Sequence, residues 1–217
     1  MGEQEVKFAA VGKDSADISN LFKRNRAWAE RKTRSDPGFF KRLVSQQNPH
    51  YFWIGCSDSR VPATEIVDLD PGEMFVHRNV ANLANVSDPN FSAALEFAVD
   101  VLQVRHIIVV GHYGCGGIAA ATSDQTDCEI GRWLIPVREL RKRLLHNSPS
   151  GEAPHPNALC DLNVLAQVEA LVLNPIVGAA WARDADLTLH GWVYEIADGL
   201  LKRVCTPVSP GRQRGTI

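Results

Sequence analysis

Three chemically demanding side chains stand on alternate positions in the stretch WIGCSDSRVP: Cys56, Asp58 and Arg60. A thiol can act as a thiolate ligand, a carboxylate can accept a proton, and a guanidinium can lock that carboxylate through paired N–H groups. A second stretch, GHYGCGG, carries His112 and Cys115 at short-chelate spacing among glycines, which let backbone approach a bound ion closely. Two thiolates and one imidazole form a donor set suited to Zn²⁺, and three protein ligands leave a fourth tetrahedral position free for chemistry. Cys56, His112 and Cys115 are therefore candidate ligands for one zinc ion per chain, with Asp58 two residues from the first of them. Each signal alone is weak, because a single cysteine after a strand is more often a small core residue. The combination carries the reading.

Other motifs fail on spacing. A cysteine phosphatase loop needs a longer gap between its cysteine and arginine, and no C-x-x-C pair is present for dithiol redox work. GCSDS is not the G-x-S-x-G elbow of an α/β hydrolase. GHYGCGG has its glycines in the wrong register for a dinucleotide fingerprint. The H-x-E and paired C-x-x-C of a zinc deaminase are also missing.

The elements that must position these groups can be read from periodicity. YFWIG (51–55), EMFVHRNV (73–80), HIIVVGH (106–112) and LTLHGWVYEI (187–196) are short β-rich runs. The third is apolar nearly throughout, as expected of a strand covered on both faces. Between the runs an Asp or Asn followed by Pro recurs at Asp36, Asp88 and Asn174, a cap-and-proline signature of a helix start. Phe39, Phe40, Leu43 and Val44 follow the first. Phe91, Leu95, Ala98, Val99 and Leu102 follow the second at helical spacing, and a further helix carries Leu159, Leu162, Leu165, Val168 and Val172. Strands alternating with helices predict an α/β fold: a single domain with a mostly parallel central β-sheet flanked by helices. Sites in such sheets gather at the carboxyl ends of strands, where Cys56 and His112 both fall.

An N-terminal helical arm with Ile18, Leu21, Phe22 and Trp28 near one face precedes the first strand. It packs either on a partner subunit or on its own domain. Residues 1–15 and 209–217 read as flexible tails and 146–157 as a loop.

From about Leu21 to Arg203 the chain resembles the β-class carbonic anhydrases, on CSDSR at 56–60, GEMFVHRNVAN at 72–82 and GHYGCGG at 111–117. The resemblance implies reversible hydration of CO₂ to bicarbonate and a proton, with Cys56, His112 and Cys115 holding Zn²⁺. A zinc ion lowers the pKa of bound water so that hydroxide forms near neutral pH, less strongly with two thiolates than with imidazoles alone. Asp58 and Arg60 correspond to the catalytic dyad, the arginine fixing the carboxylate that orients the nucleophile. Gln47 matches a glutamine that reaches substrate across a dimer interface. Phe75 and Val80 match the apolar pocket wall, and Gly116 a glycine whose backbone meets substrate. Phe97 stands where plant-type members have tyrosine, so any hydroxyl-dependent role there is lost. The family implies a homodimer or a dimer of dimers.

The resemblance extends to a self-inhibited, allosteric subclass in which the carboxylate of Asp58 swings onto zinc as fourth ligand. Its marks are Trp53, Gly55 and Tyr194, with Arg78 completing a non-catalytic bicarbonate pocket. That implies pH- and bicarbonate-dependent switching. Hydrolysis of CS₂ or COS on the same fold is an alternative activity, as is a catalytically silent zinc scaffold. The intact Asp58 and Arg60 speak against the scaffold.

Composition excludes several classes. With 45% hydrophobic and 22% charged residues the chain is an ordinary globular one, not disordered. A net charge of −2 gives no electrostatic reason to bind nucleic acid or an anionic membrane. No apolar run approaches the ~20 residues of a membrane span, and the first residues lack the basic and apolar regions of a secretory signal. Five cysteines, an odd number without a tight framework, favour reduced thiols and a cytoplasmic setting. Cys128, Cys160 and Cys205 receive no role. His50, His77, His106, His146, His155 and His190 are proton-shuttle candidates by type only.

Overall fold

The computed structural model describes residues 18–45, 47–123, 126–146 and 155–210. The tails expected at 1–15 and over most of 209–217, and the middle of the expected loop at 146–157, lie outside these residues. Two compact units divide at residue 46.

The first unit holds α1 (Ser19–Ser35) and α2 (Phe39–Ser45). Trp28 meets Phe40 and Phe39 edge-on at 5.7 and 6.5 Å, and the Lys32 ammonium lies over the Phe39 ring. Ile18, Leu21 and Phe22 are exposed. Asp36 takes the Gly38 N–H at 2.9 Å and pairs with Arg42 across the start of α2.

The second unit is the α/β domain. Its described strands form one sheet in the order β2-β1-β3-β4-β5. These are β1 (Tyr51–Cys56), β2 (Met74–Asn79), β3 (His106–His112), β4 (Thr188–Glu195) and β5 (Leu200–Arg203). The first four run parallel and β5 pairs antiparallel to β4. Period-two alternation sends Phe52, Ile54, Ile107, Val109, Leu189 and Val193 to one face. There they pack on α4 (Pro89–Glu96), α8 (Pro156–Val172) and α9 (Pro175–Ala182). Trp53, Ile108 and Val110 face the other side, with Val61 and the start of α3 (Ala63–Ile66). Three short helices complete the unit: α5 (Gly116–Ala120), α6 (Glu129–Trp133) and α7 (Ile135–His146).

The caps work as the sequence signature requires. Asp88 accepts from Asn90 N at 3.0 Å and Asn174 from Ile176 N at 2.9 Å, each with proline at the first turn. After Asp88 the stripe Phe91, Leu95, Ala98 and Val99 is buried, and α4 continues as a wider π turn over Phe97–Val101. In α8 the buried face differs in part from the expected leucine stripe. Leu159 and Val168 of that stripe are buried and Leu162, Leu165 and Val172 half-buried, while the buried face also takes in Cys160, Asn163, Val164, Gln167 and Leu171. No single described helix is long and apolar enough to cross a membrane.

Strand β5 has no counterpart in the sequence reading, because LLKR is a short, mostly exposed edge without alternation. The signal was the Asp198–Gly199 turn: Asp198 accepts from Leu200 N at 2.9 Å and Gly199 adopts φ 73°.

Near the amino ends of β3 and β4, His190 and His106 meet at 3.2 Å between ring nitrogens. Burial, and then the neighbouring His106, push His190 down to about 4. The unfolded chain therefore binds more protons than the folded one between about pH 4 and about pH 6.5, and stability falls as pH drops through that window. We expect His190→Gln to flatten the fall in thermal midpoint between pH 6.5 and 4, measured by circular dichroism melts.

Candidate metal centre

Parallel pairing of β1 with β3 brings distant segments to one rim. Gly55 pairs with Val110, so Cys56 comes level with Gly111 and His112 ends the neighbouring strand. Beyond His112 the chain turns through Gly114, whose φ of 69° belongs to the left-handed region, and returns Cys115 to the same place. One ligand atom each from Cys56, His112 and Cys115 lies within 4.8 Å of the others, and all three residues are buried.

The donor geometry fits zinc. Two zinc–sulfur bonds of about 2.3 Å at a tetrahedral angle span roughly 3.8 Å between sulfurs, and the Cys56 and Cys115 sulfurs are 3.7 Å apart. His112 Nδ1 lies 3.2 Å from the Tyr113 carbonyl. A carbonyl only accepts, so this bond puts the proton on Nδ1 and leaves a lone pair on Nε2. That Nε2 is buried and has no hydrogen-bond partner among the described residues, a costly arrangement unless something coordinates it. The Cys56 thiol is pulled below its usual range by the hydrogen bond with Cys115, helped by the backbone N–H groups of Asp58 and Ala81. Cys115, sharing that proton, is pushed up.

Asp58 sits beside the group. Arg60 Nε donates to Asp58 Oδ1 at 3.0 Å and Nη2 to Oδ2 at 2.7 Å, a bidentate pair. The Arg60 side chain, with its backbone N–H second, holds the Asp58 carboxyl down to about 2. Oδ2 is 3.7 Å from His112 Nε2, too long for a hydrogen bond but within reach of an ion there. Arg60 Nη2 also donates to Gly114 O at 3.2 Å, tying the dyad to the loop between His112 and Cys115.

The remaining candidates are placed unequally. Val80 packs against the cluster containing Cys56 and Cys115, and its methyl group would stand 2.7 Å from a Cβ on Gly117. Phe75 pairs with Phe52, four positions before Cys56, and packs tilted between Phe52 and Phe97 at 5.5 and 5.7 Å, so this chain does not place it beside its own metal group. Gly116 opens α5, and a Cβ there would meet nothing within 4 Å among the described residues, so no clash with them demands glycine. Gln47 is exposed and precedes β1, whereas Cys56 ends it. A strand rising about 3.3 Å per residue leaves the two far apart, so this chain does not bring its own Gln47 to its metal group.

Trp53, Gly55 and Arg78 form a second constellation beside the first. Trp53 is fully buried, yet its Nε1 has no partner among the described residues. A Cβ on Gly55 would come within 2.2 Å of that nitrogen. Gly55 pairs with Arg78, whose guanidinium donates to Cys56 O at 2.8 Å and Asp58 O at 2.5 Å. Tyr194 pairs with His112, joins the apolar cluster around Trp53, and accepts the Tyr113 N–H through its carbonyl at 3.1 Å. Gly55→Ala is expected to destabilise the protein by about 1–3 kcal/mol through overpacking against the indole, read by urea unfolding.

Comparison with known proteins agrees with this architecture. The carbonic anhydrase family model matches residues 51–201. A carbonic anhydrase of Emericella nidulans is 39% identical over 186 residues, covering 84% of this chain and 81% of that protein. One from Saccharomyces cerevisiae is 31% identical and covers 88% and 90% respectively. Among solved structures, the Coccomyxa β-carbonic anhydrase in complex with acetazolamide superimposes with a TM-score of 0.82 at 39% identity, covering 89% of each chain. A tetrameric β-carbonic anhydrase from Sordaria macrospora gives 0.82 at 36% identity, covering 88% of this chain and 98% of its own. The chain belongs to the β-class carbonic anhydrase family.

Proposed function

We infer that this protein is a zinc carbonic anhydrase that interconverts CO₂ and water with bicarbonate and a proton. The observation that carries the reading is the convergence of Cys56, His112 and Cys115 beside the locked Asp58–Arg60 pair. Cys56 Sγ, His112 Nε2 and Cys115 Sγ would hold one ion, which supplies the Lewis acidity that brings a water's pKa toward neutrality. Asp58 Oδ2 takes a hydrogen bond from the attacking water, so that its lone pair faces the carbon of CO₂. Arg60 keeps that carboxylate charged and fixed. Val80, packed against the cluster that holds Cys56 and Cys115, offers an apolar wall, suited to an uncharged substrate and unsuited to retaining the anionic product.

Gln47 reaches a site only if a second copy contributes it, so the reading includes a homodimer or dimer of dimers. Leu21 and Phe22 of α1, with Ile18 just before it, are exposed and supply an apolar face for such an arm. Five cysteines with no disulfide framework favour a reducing, cytoplasmic setting.

The reading also includes a two-state carboxylate. Asp58 is held by Arg60 in this structure, and its Oδ2 lies close enough to His112 Nε2 to turn onto the metal instead. A ligand shifts such a balance only by binding one state better. Bicarbonate held by the free Trp53 indole N–H and Tyr194 would draw Arg78 away from the Cys56 and Asp58 carbonyls and favour the metal-bound carboxylate.

Stopped-flow CO₂ hydration with zinc analysis tests the activity, with Asp58→Ala as control and CS₂ and COS as competing substrates. Absence of CO₂ turnover in zinc-replete protein would sink it. For the switch, activity should fall steeply below neutral pH and less steeply in Tyr194→Phe. A flat profile in both proteins would remove it.

A further inference from the structure

Helix α8 reaches both halves of the metal centre through one line of buried polar side chains. Cys160, Asn163 and Gln167 recur at spacings of three and four and so share a face. Their exposures are 3%, 0% and 7%. Cys160 Sγ donates to His112 O at 3.1 Å. Asn163 Nδ2 donates to Ala81 O at 2.9 Å, Gln167 Nε2 donates to Asn163 Oδ1 at 3.0 Å, and Gln167 Oε1 accepts from Ala84 N at 2.9 Å. Two primary amides among Val164, Val168 and Leu171 are a costly choice for a core unless their hydrogen bonds do something an apolar pair cannot.

The turn they grip is strained. Ala81 and Asn82 adopt φ values of 66° and 48°, consecutive left-handed residues that carry a Cβ. Asn79 closes its other side, accepting from Leu83 N at 2.7 Å and donating to Leu83 O at 2.8 Å. The strained shape has a use. It aims the Ala81 N–H at the Cys56 sulfur and seats Val80 and Ala81 against Gly117, two residues past Cys115. One end of the helical line thus holds the strand of His112, and the other holds the turn that contacts Cys56 and backs Cys115.

We propose that Cys160, Asn163 and Gln167 are positioning residues that set the separation of the three metal ligands, holding them at tetrahedral spacing before an ion arrives. None of the three touches substrate. The proposal rests on the metal reading above. Outer partners of metal ligands, when replaced, typically cost about 10–100-fold in affinity or activity.

The test uses the zinc-loaded protein. Asn163→Leu and Gln167→Met remove the amide bonds with little change of volume. Cys160→Ala and Cys160→Ser differ in whether a donor to His112 O remains. Zinc release to a chromophoric chelator is timed, and the cobalt-substituted proteins are compared by their sulfur-to-metal charge-transfer bands. Near-ultraviolet circular dichroism checks folding. We expect release about 10-fold or more faster in Asn163→Leu, Gln167→Met and Cys160→Ala. Charge-transfer bands should shift in the same three, kcat should fall more than KM rises, and Cys160→Ser should recover the wild-type values. Should an amide variant fail to fold, the Cys160→Ala and Cys160→Ser pair decides alone. Unchanged release and bands in the folded variants overturn the clamp while leaving the metal reading intact. A wild-type protein that takes up no zinc overturns the metal reading itself.

Discussion

Cys56→Ser is expected to lose zinc and nearly all CO₂ hydration while remaining folded. Serine matches cysteine in shape, and Cys56 is a buried member of an apolar cluster, so the exchange leaves little void. The hydroxyl, however, ionises far less readily than a thiol and is a poor zinc donor. The two remaining ligands, His112 and Cys115, cannot replace the missing charge. Turnover should fall by a factor on the order of 10³ or more, because the metal's acidification of the attacking water is forfeited. Metal analysis and stopped-flow hydration on the same preparation read both effects. Chelation followed by zinc restores the wild type and leaves the variant silent. A Cys56→Ser enzyme with near-normal turnover would refute the three-ligand site.

Asp58→Asn separates the dyad from the metal. The amide keeps the volume but brings N–H groups toward Arg60 and removes the charged acceptor, so the paired hydrogen bonds to Arg60 cannot all persist. Zinc content should be unchanged, since Asp58 is outside the three-ligand group. Loss of a positioned proton acceptor typically costs about 10²–10⁴-fold in kcat, and we expect a fall within that range with KM little altered. Arg60→Leu should show a similar loss, and the double variant little more than either, because the two side chains act as one unit. Additive losses in the double variant would show that Arg60 works independently of the carboxylate.

Legibility differed by distance along the chain. The cap-and-proline starts at Asp88 and Asn174 were legible because a cap is a matter of three adjacent residues. The parallel sheet followed from alternation and from apolar runs such as HIIVVGH, which only a doubly covered strand explains. Strand β5 escaped notice because LLKR is held by pairing with β4 and not by its own pattern. The buried face of α8 was legible only in part, at Leu159 and Val168, because Asn163 and Gln167 count as polar in any periodicity. Their burial depends on the Ala81 and Ala84 backbone lying opposite, more than eighty residues away.

Residue types and short spacings by themselves determined the donor set of two sulfurs and an imidazole, the Asp58–Arg60 pair, and the α/β class, since each is a local chemical or periodic property. Tertiary structure alone decided that the sulfurs stand 3.7 Å apart, that His112 Nε2 and Trp53 Nε1 have no partner among the described residues, and that Gln47 lies at the wrong end of β1 for its own site. Those are relations between segments brought side by side by strand pairing and by α8, and no local run of sequence encodes such a distance.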